Sequence, residues 1–399
     1  MNLAETLRTQ GDLGGARKAL EEAIGVLTDQ LGANHPETLP ARDKLGSLLL
    51  AQHEYKAARK IYEELLQAYR KAFGPEHPDT ITCMNNLSVI LLALGDLSGA
   101  QRLQEEALKL YESVLGPDHP GVAASMNNLG SFYTRQGKFA QAEPLFTRAL
   151  LIQEKTFGPS HPEVANALSN LAFLYEKSGR LHEAESLHQR ALAIRKEGLG
   201  SEHPDVAHSL SGLARVEKSF GKHEEAQRLH QQALAIREKA FGLYHSDVAL
   251  SLSSLADIGE QIGNLKEAER LHHRALAIRE KALGPEHPDV ALSLSSLADI
   301  EEQMGKRKEA ERLHHRALAI RERALGPEHP DVALSLSSLA AIAKKTGDLK
   351  EAERLHQRAL AIRERAFGPD HPFVALSFSS LTNIRRSAKK QKPKQKLKK

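Results

Sequence analysis

A glycine recurs every 42 residues along nearly the whole chain: Gly32, Gly74, Gly116, Gly158, Gly200, Gly242, Gly284, Gly326 and Gly368. Three residues after each stands a histidine, from His35 to His371, and proline follows it in eight of nine cases, Ser246 being the exception. Two further registers keep the same period: leucine from Leu3 to Leu381 and alanine from Ala16 to Ala352, both unbroken. Three registers of this length mean stacked copies of one small unit, each unable to bury its apolar face alone. The 399 residues are therefore read as one array, not as the two or three globular domains that length alone suggests.

Within the period, the residues predict two helices. In the copy that begins at His287, Pro288 suits a first helical position, where its missing N–H costs nothing, and Asp289 places a carboxylate near the positive helix start. Leu294, Leu297, Ile300 and Met304 then recur at three- and four-residue spacing, one helical face. Gly305 is expected just past the last turn of this first helix. A second helix carries Ala310, Leu313, Ala317, Ile320, Ala324 and Leu325 on its buried side, and Gly326-Pro327 stops it. The fixed alanines let neighbouring helices approach closely, and the leucine register fills the space beside them.

Composition excludes several classes. Hydrophobic residues make up 41% and charged residues 27%, ordinary for a folded chain and too apolar for a disordered one. Aromatics are 5% and Trp is absent, which suits close helix stacking better than a large sandwich core. The single cysteine, Cys83, permits no intramolecular disulfide and no cysteine zinc site. No stretch approaches the roughly 20 apolar residues of a membrane span. The start, Met1-Asn2-Leu3-Ala4-Glu5, lacks the basic and apolar regions of a secretory signal, so a cytoplasmic location is the default expectation. Residues 385–399 carry nine Lys/Arg and no acid, leaving 46 basic against 51 acidic residues in the remainder; the basic excess belongs to the tail.

Asn128-Leu129-Gly130, Tyr133, Gly137, Ala142, Phe146 and Ala149 resemble the tetratricopeptide repeat at each of its signature positions. The 42-residue period and its Gly-Pro-x-His-Pro link are similar to the repeats of kinesin light chains and nephrocystin-3-like proteins. The resemblance implies an all-α fold: a TPR-type αα solenoid, a right-handed superhelix of about nine helical hairpins plus a carboxy-terminal capping helix. Residues 1–31 are expected to form a truncated first repeat, since Asn2-Leu3 aligns with Asn128-Leu129. Residues 32–367 form eight full repeats, 368–387 the capping helix and 388–399 a disordered basic tail. In later repeats the aromatic of the first helix, Tyr133 or Tyr175, gives way to Glu217, Gly259, Glu301 and Ala343.

The function the resemblance implies is that of a scaffold or adaptor that holds other proteins or peptide segments in a groove lined by the first helices. Carried over by position, the groove includes Asn86, Asn128 and Asn170, with Asn85 and Asn127 beside the first two. An asparagine side chain can both donate to and accept from an extended backbone; the competing expectation is that these asparagines bond to neighbouring helices. Charge along this face alternates: Arg215 and Lys218 basic, Asp257, Glu260, Asp299 and Glu302 acidic, Lys344 and Lys345 basic again. Such zones fit a partner of opposite pattern, against the plainer expectation of a solvated helix face.

The linker histidines recur too regularly for one active site and are expected to cap or pack each unit. A second ladder, His188, His230, His272, His314 and His356, stands where earlier copies have Tyr62 and Phe146; partial burial of these rings predicts acid-sensitive stability. No nucleotide-binding or hydrolase motif occurs. No enzyme activity, cofactor, metal or small-molecule substrate is expected. The alternative function rests on residues 389–399, a lysine run able to bind nucleic acid or an acidic surface by charge. It has no aromatic for base stacking and ranks below protein scaffolding.

Overall fold

Seven hairpins start where the sequence sets a histidine before a helix-opening residue; the helix after His35 starts only at Leu39, behind Thr38. The computed structural model describes residues 2–9, 13–52, 54–369 and 372–391. The chain forms two compact units, Met1–Ile262 and Gly263–Lys399. The first holds α1 (Asn2–Thr9), α2 (Leu13–Leu31), α3 (Leu39–Ala51), α4 (Tyr55–Phe73), α5 (Pro78–Ala93), α6 (Leu97–Leu115), α7 (Pro120–Arg135), α8 (Phe139–Phe157), α9 (Pro162–Lys177), α10 (Leu181–Leu199), α11 (Pro204–Ser219), α12 (His223–Phe241) and α13 (Ser246–Gln261). The second holds α14 (Leu265–Leu283), α15 (Pro288–Gln303), α16 (Arg307–Ala324), α17 (Pro330–Thr346), α18 (Leu349–Phe367) and α19 (Pro372–Gln391). No strand occurs among the described residues. Inside each unit every helix packs on the next, giving consecutive helical hairpins.

The linker histidines are N-caps. In α5, α7, α9, α11, α13, α15 and α17 the histidine before the helix has extended backbone, and its Nδ1 accepts the backbone N–H two residues on. The His119 Nδ1 accepts from Gly121 N at 3.0 Å, for example. This satisfies one of the orphan donors at the helix start, the task usually done by Ser or Asp. Three of these rings also stack on the phenylalanine ending the preceding helix, Phe73 on His77, Phe157 on His161 and Phe241 on His245, with centroids 4.4–5.0 Å apart. His371 lies outside the described residues.

The first helix of a hairpin ends in a Schellman motif. Gly305 has φ +81°; Lys306 N–H donates to Glu301 O and Gly305 N–H to Glu302 O, which closes the last turn. A side chain at Gly305 would be strained in that left-handed backbone. The alanine register is buried to the last atom: Ala58, Ala100, Ala142, Ala184 and Ala226 in the first unit, and Ala268, Ala310 and Ala352 in the second, have no exposed surface. Helix α19 continues to Gln391, past the expected cap boundary at 387; the rest of the expected tail, 392–399, lies outside the described residues.

Candidate partner-binding face

The first helix of each hairpin buries one side and leaves a stripe outside. In α15, Val290, Ala291, Leu294, Leu297, Ala298 and Ile300 are buried. Successive helix positions turn by about 100°, so Leu292 falls on the opposite side, together with Ser295, Ser296, Asp299 and Glu302. Leu292 is 51% exposed, and its equivalents Leu334 and Leu376 are 55% and 63% exposed. In the first unit Leu250 holds the same place at 49%. The unit Gly263–Lys399 thus presents an apolar residue at one fixed position on three successive first helices. The buried leucine register gives no sign of this row. Spacing would have found it, since Leu292 stands two residues before Leu294 and hence on the far side of the helix.

The residues expected from sequence occupy the first helices α5, α7, α9, α11, α13 and α15. Asn85, Asn86, Asn127 and Asn170 are half-buried and Asn128 is exposed. Asn86 Nδ2 donates to the Tyr62 hydroxyl of the preceding hairpin at 3.1 Å, so this asparagine is engaged between hairpins. Gly212 sits at the same repeat position as Asn86, and a Cβ there would meet the His188 ring at 2.4 Å. This register therefore faces the ring ladder of the preceding second helix.

The charged positions are partly neutralised within the protein. Arg215 Nε pairs with Glu176 at 3.2 Å, Glu302 with Lys345 at 2.7 Å, and Asp299 lies 3.4 Å from His314 Nε2. Lys218, Asp257 and Glu260 are half-buried. In each pair one member is exposed and the other largely buried.

Behind this face lies a polar spine that sequence reading missed. Arg195 and Arg237, both at most 5% exposed, pair with no carboxylate among the described residues. Arg195 Nη1 donates to Ser169 and Ser209 and its Nη2 to Asn166; Arg237 Nη1 donates to Ser211 and Ser251. Arg321 repeats the pattern in the second unit with Ser295 and Ser335. Burial lowers the pKa of all three guanidinium groups. Read singly, these arginines pass for surface charges; only their 42-residue recurrence beside recurrent serines marks them as interior.

The histidine ladder is more deeply buried than expected. His188, His230, His272 and His314 are at most 2% exposed, and His356 8%. Burial first, then nearby arginines, pushes the imidazole of His188 down to about 3 and that of His230 to about 4; burial, with Arg279 beside it, takes His272 to about 4.

No helix among the described residues is long and apolar enough to cross a membrane. A family model described as the tetratricopeptide repeat matches the chain over residues 1–69, 41–113, 90–150, 121–197, 163–239, 247–323, 290–364 and 331–393. Among solved structures, nearly identical TPR-like repeats from a protein described as a kinesin light chain of Podosopora anserina are 32% identical, covering 51% of this chain and 97% of that one, with a TM-score of 0.43. BtubC (BKLC) from P. vanneervenii is 25% identical over 59% of this chain and 92% of its own, at a TM-score of 0.46. A Rap protein complexed with competence and sporulation factor is 16% identical over 89% of this chain and 99% of its own, at a TM-score of 0.49. None of the curated proteins compared with the chain matches it.

Proposed function

The chain belongs to the tetratricopeptide repeat family, and from that premise we propose that it is a protein-interaction scaffold or adaptor whose first helices bind extended segments of partner proteins. The observation that carries this reading is the exposed row Leu292, Leu334 and Leu376. Three large apolar side chains at one repeat position, each about half in water, gain by being covered; fully burying a leucine stabilises by about 1.5–3 kcal/mol. Serines run beside them, and acidic Asp299 and Glu302 precede basic Lys344 and Lys345. Such a surface suits a segment with spaced apolar side chains among charges.

In the first unit the same face is more polar. Leu250 is there the one large exposed leucine of the row, and Asn128, Asn170, Arg215 and Lys218, with Asp257 and Glu260 further on, supply hydrogen bonds and charge. Asn86, Asn85 and Asn127 belong to the same row. Charge here contributes to choice of partner and rate of encounter more than to affinity, because Arg215 and Glu302 already have partners within the protein.

The test is selection of binding peptides from a displayed library, followed by affinity measurement on purified variants. Leu292→Asp with Leu334→Asp should weaken the selected peptides at least about tenfold, that is about 1.4 kcal/mol, with an unchanged melting temperature. Charge reversal at Asp257, Glu260, Asp299 and Glu302 should change which peptides are selected. Removal of 388–399 should leave peptide affinity intact; loss of binding on that deletion alone would transfer the activity to the lysine-rich tail.

A further inference from the structure

Glu269, His273 and Glu301 bring one ligand atom each to within 4.8 Å of one another. Glu269 and His273 stand one turn apart on α14, so they share a face. Glu301 comes from α15, the first helix of the next hairpin. The Lys306 ammonium lies between the two carboxylates, 2.8 Å from Glu269 Oε1 and 3.0 Å from Glu301 Oε2. The Glu301 side chain is only 5% exposed. Its Oε2 lies 3.0 Å from the Lys306 ammonium without a well-aligned hydrogen bond, and the Glu269 and Glu301 carboxyls are close enough to interact directly.

The same residue positions recur in the first unit, where the lysine contacts only one of the two carboxylates. In the first unit Glu217, 5% exposed, takes the place of Glu301, and Lys222 Nζ lies 2.9 Å from its Oε2. Glu185 stands for Glu269. Where the first helix carries Gly259 or Ala343 at this position, the linker residue is Asn264 or Asp348 instead of lysine. A basic residue also stands there opposite Tyr133 and Tyr175, as Lys138 and Arg180 over the rings; opposite a buried carboxylate the lysine serves as its counter-ion. One residue separates the two sets: Gln189 in the first, His273 in the second. A lysine-neutralised acid pair has no use for an imidazole, whereas a transition metal does.

We propose that Glu269, His273 and Glu301 form a binding site for a divalent transition metal, Zn2+ in particular, with Lys306 as a displaceable internal competitor. Two carboxylates and one imidazole make a three-ligand set that water completes to four, and imidazole with carboxylate suits zinc among the divalent ions. Tetrahedral zinc with bonds of about 2.0–2.1 Å asks the donors to draw in by roughly an ångström, which the exposed His273 ring and the half-buried Glu269 permit. Lys306 is 47% exposed and can swing to solvent as the metal enters. The bound ion would tie α14 to α15 across a hairpin junction and replace one positive charge by two.

The experiment is zinc titration of the untagged full chain by calorimetry, with Co2+ absorption as a second readout. The wild type should take up zinc at this site. His273→Gln, which copies the first set, should weaken that uptake at least about tenfold. Lys306→Met, which removes the competitor, should strengthen it. Gln189→His should add one equivalent by completing the first set, a gain that does not depend on a damaged variant. Absence of zinc uptake by the wild type, equal uptake by His273→Gln, no tightening in Lys306→Met, or no added equivalent in Gln189→His would each overturn the site.

Discussion

The Arg195 guanidinium bonds Ser209 Oγ at 2.5 Å across the boundary between two hairpins, so the junction is held by a buried cation whose acceptors are neutral: two serine hydroxyls and the Asn166 amide oxygen. Arg237 does the same with Ser211 and Ser251. A buried donor that loses its acceptor bears the desolvation penalty, about 1–3 kcal/mol. Ser251→Ala should therefore lower stability by about that much in urea unfolding, although alanine is the better helix former by a few tenths. Adding Arg237→Met should recover part of the loss, because the charge that needed the hydroxyl is gone. A neutral Ser251→Ala would mean that the serine is not an essential acceptor.

Gly130 and Phe146 form a matched pair. A Cβ on Gly130 would stand 2.9 Å from the tip of the Phe146 ring. Gly46 faces Tyr62 in the same way, whereas the copies with a histidine at the ring position carry alanine opposite, as Ala172 does for His188. The five-membered ring leaves room for the methyl. Gly130→Ala gains about 1 kcal/mol of helix propensity but overpacks the junction by about 1–3 kcal/mol, so net destabilisation of up to about 2 kcal/mol is expected. Phe146→His in the same chain should remove most of the overpacking component. Additive effects in a double-mutant cycle would contradict the pairing.

The ring ladder makes stability depend on pH. The folded-state imidazoles of His188, His230 and His272 sit at about 3, 4 and 4, below the ordinary value of about 6.5. Below that ordinary value the unfolded chain binds more protons than the folded one, so stability falls as pH falls. Their contribution is fully present above about pH 6.5 and is lost progressively as pH falls toward 4 to 3. His208, brought to about 4 by burial and by Arg195 and Arg215, adds to the same trend. Melting curves from pH 8 to 4.5 should show it. His188→Gln with His230→Gln, which copies the Gln104 already present at this position, should flatten the profile.

Cys83 offers a probe of opening. Its side chain is 1% exposed, and burial, with Asp43 nearby, pushes the thiol up to about 12. Labelling by a thiol reagent at pH 8 should be at least about a thousandfold slower in the native chain than in urea, because it requires α5 to open. Fast native labelling would show that the α5 junction opens readily.

Much of the architecture was legible because each element carries its own signal. Glycine and proline mark the linkers, the leucine and alanine registers mark the buried faces, and the histidine caps the helix in seven of the copies, as position alone suggested. What stayed hidden depended on partners distant in sequence. Arg237 is interior only because Ser211 and Ser251 come to it from two different first helices. The hydrogen bond from the Asn86 amide to Tyr62, 24 residues earlier, is likewise invisible along the chain. The division at Ile262/Gly263 has no sequence mark, since Gly263 is the same turn glycine found in most copies.

The most direct measurement is the affinity of a library-selected peptide for the intact chain and for the Leu292→Asp, Leu334→Asp variant, with both melting temperatures recorded. The account predicts at least about a tenfold loss of affinity on a fold of unaltered stability. Equal affinity for the two chains, with the peptide crosslinking instead to second helices or to 388–399, would contradict a partner-binding face on the first helices.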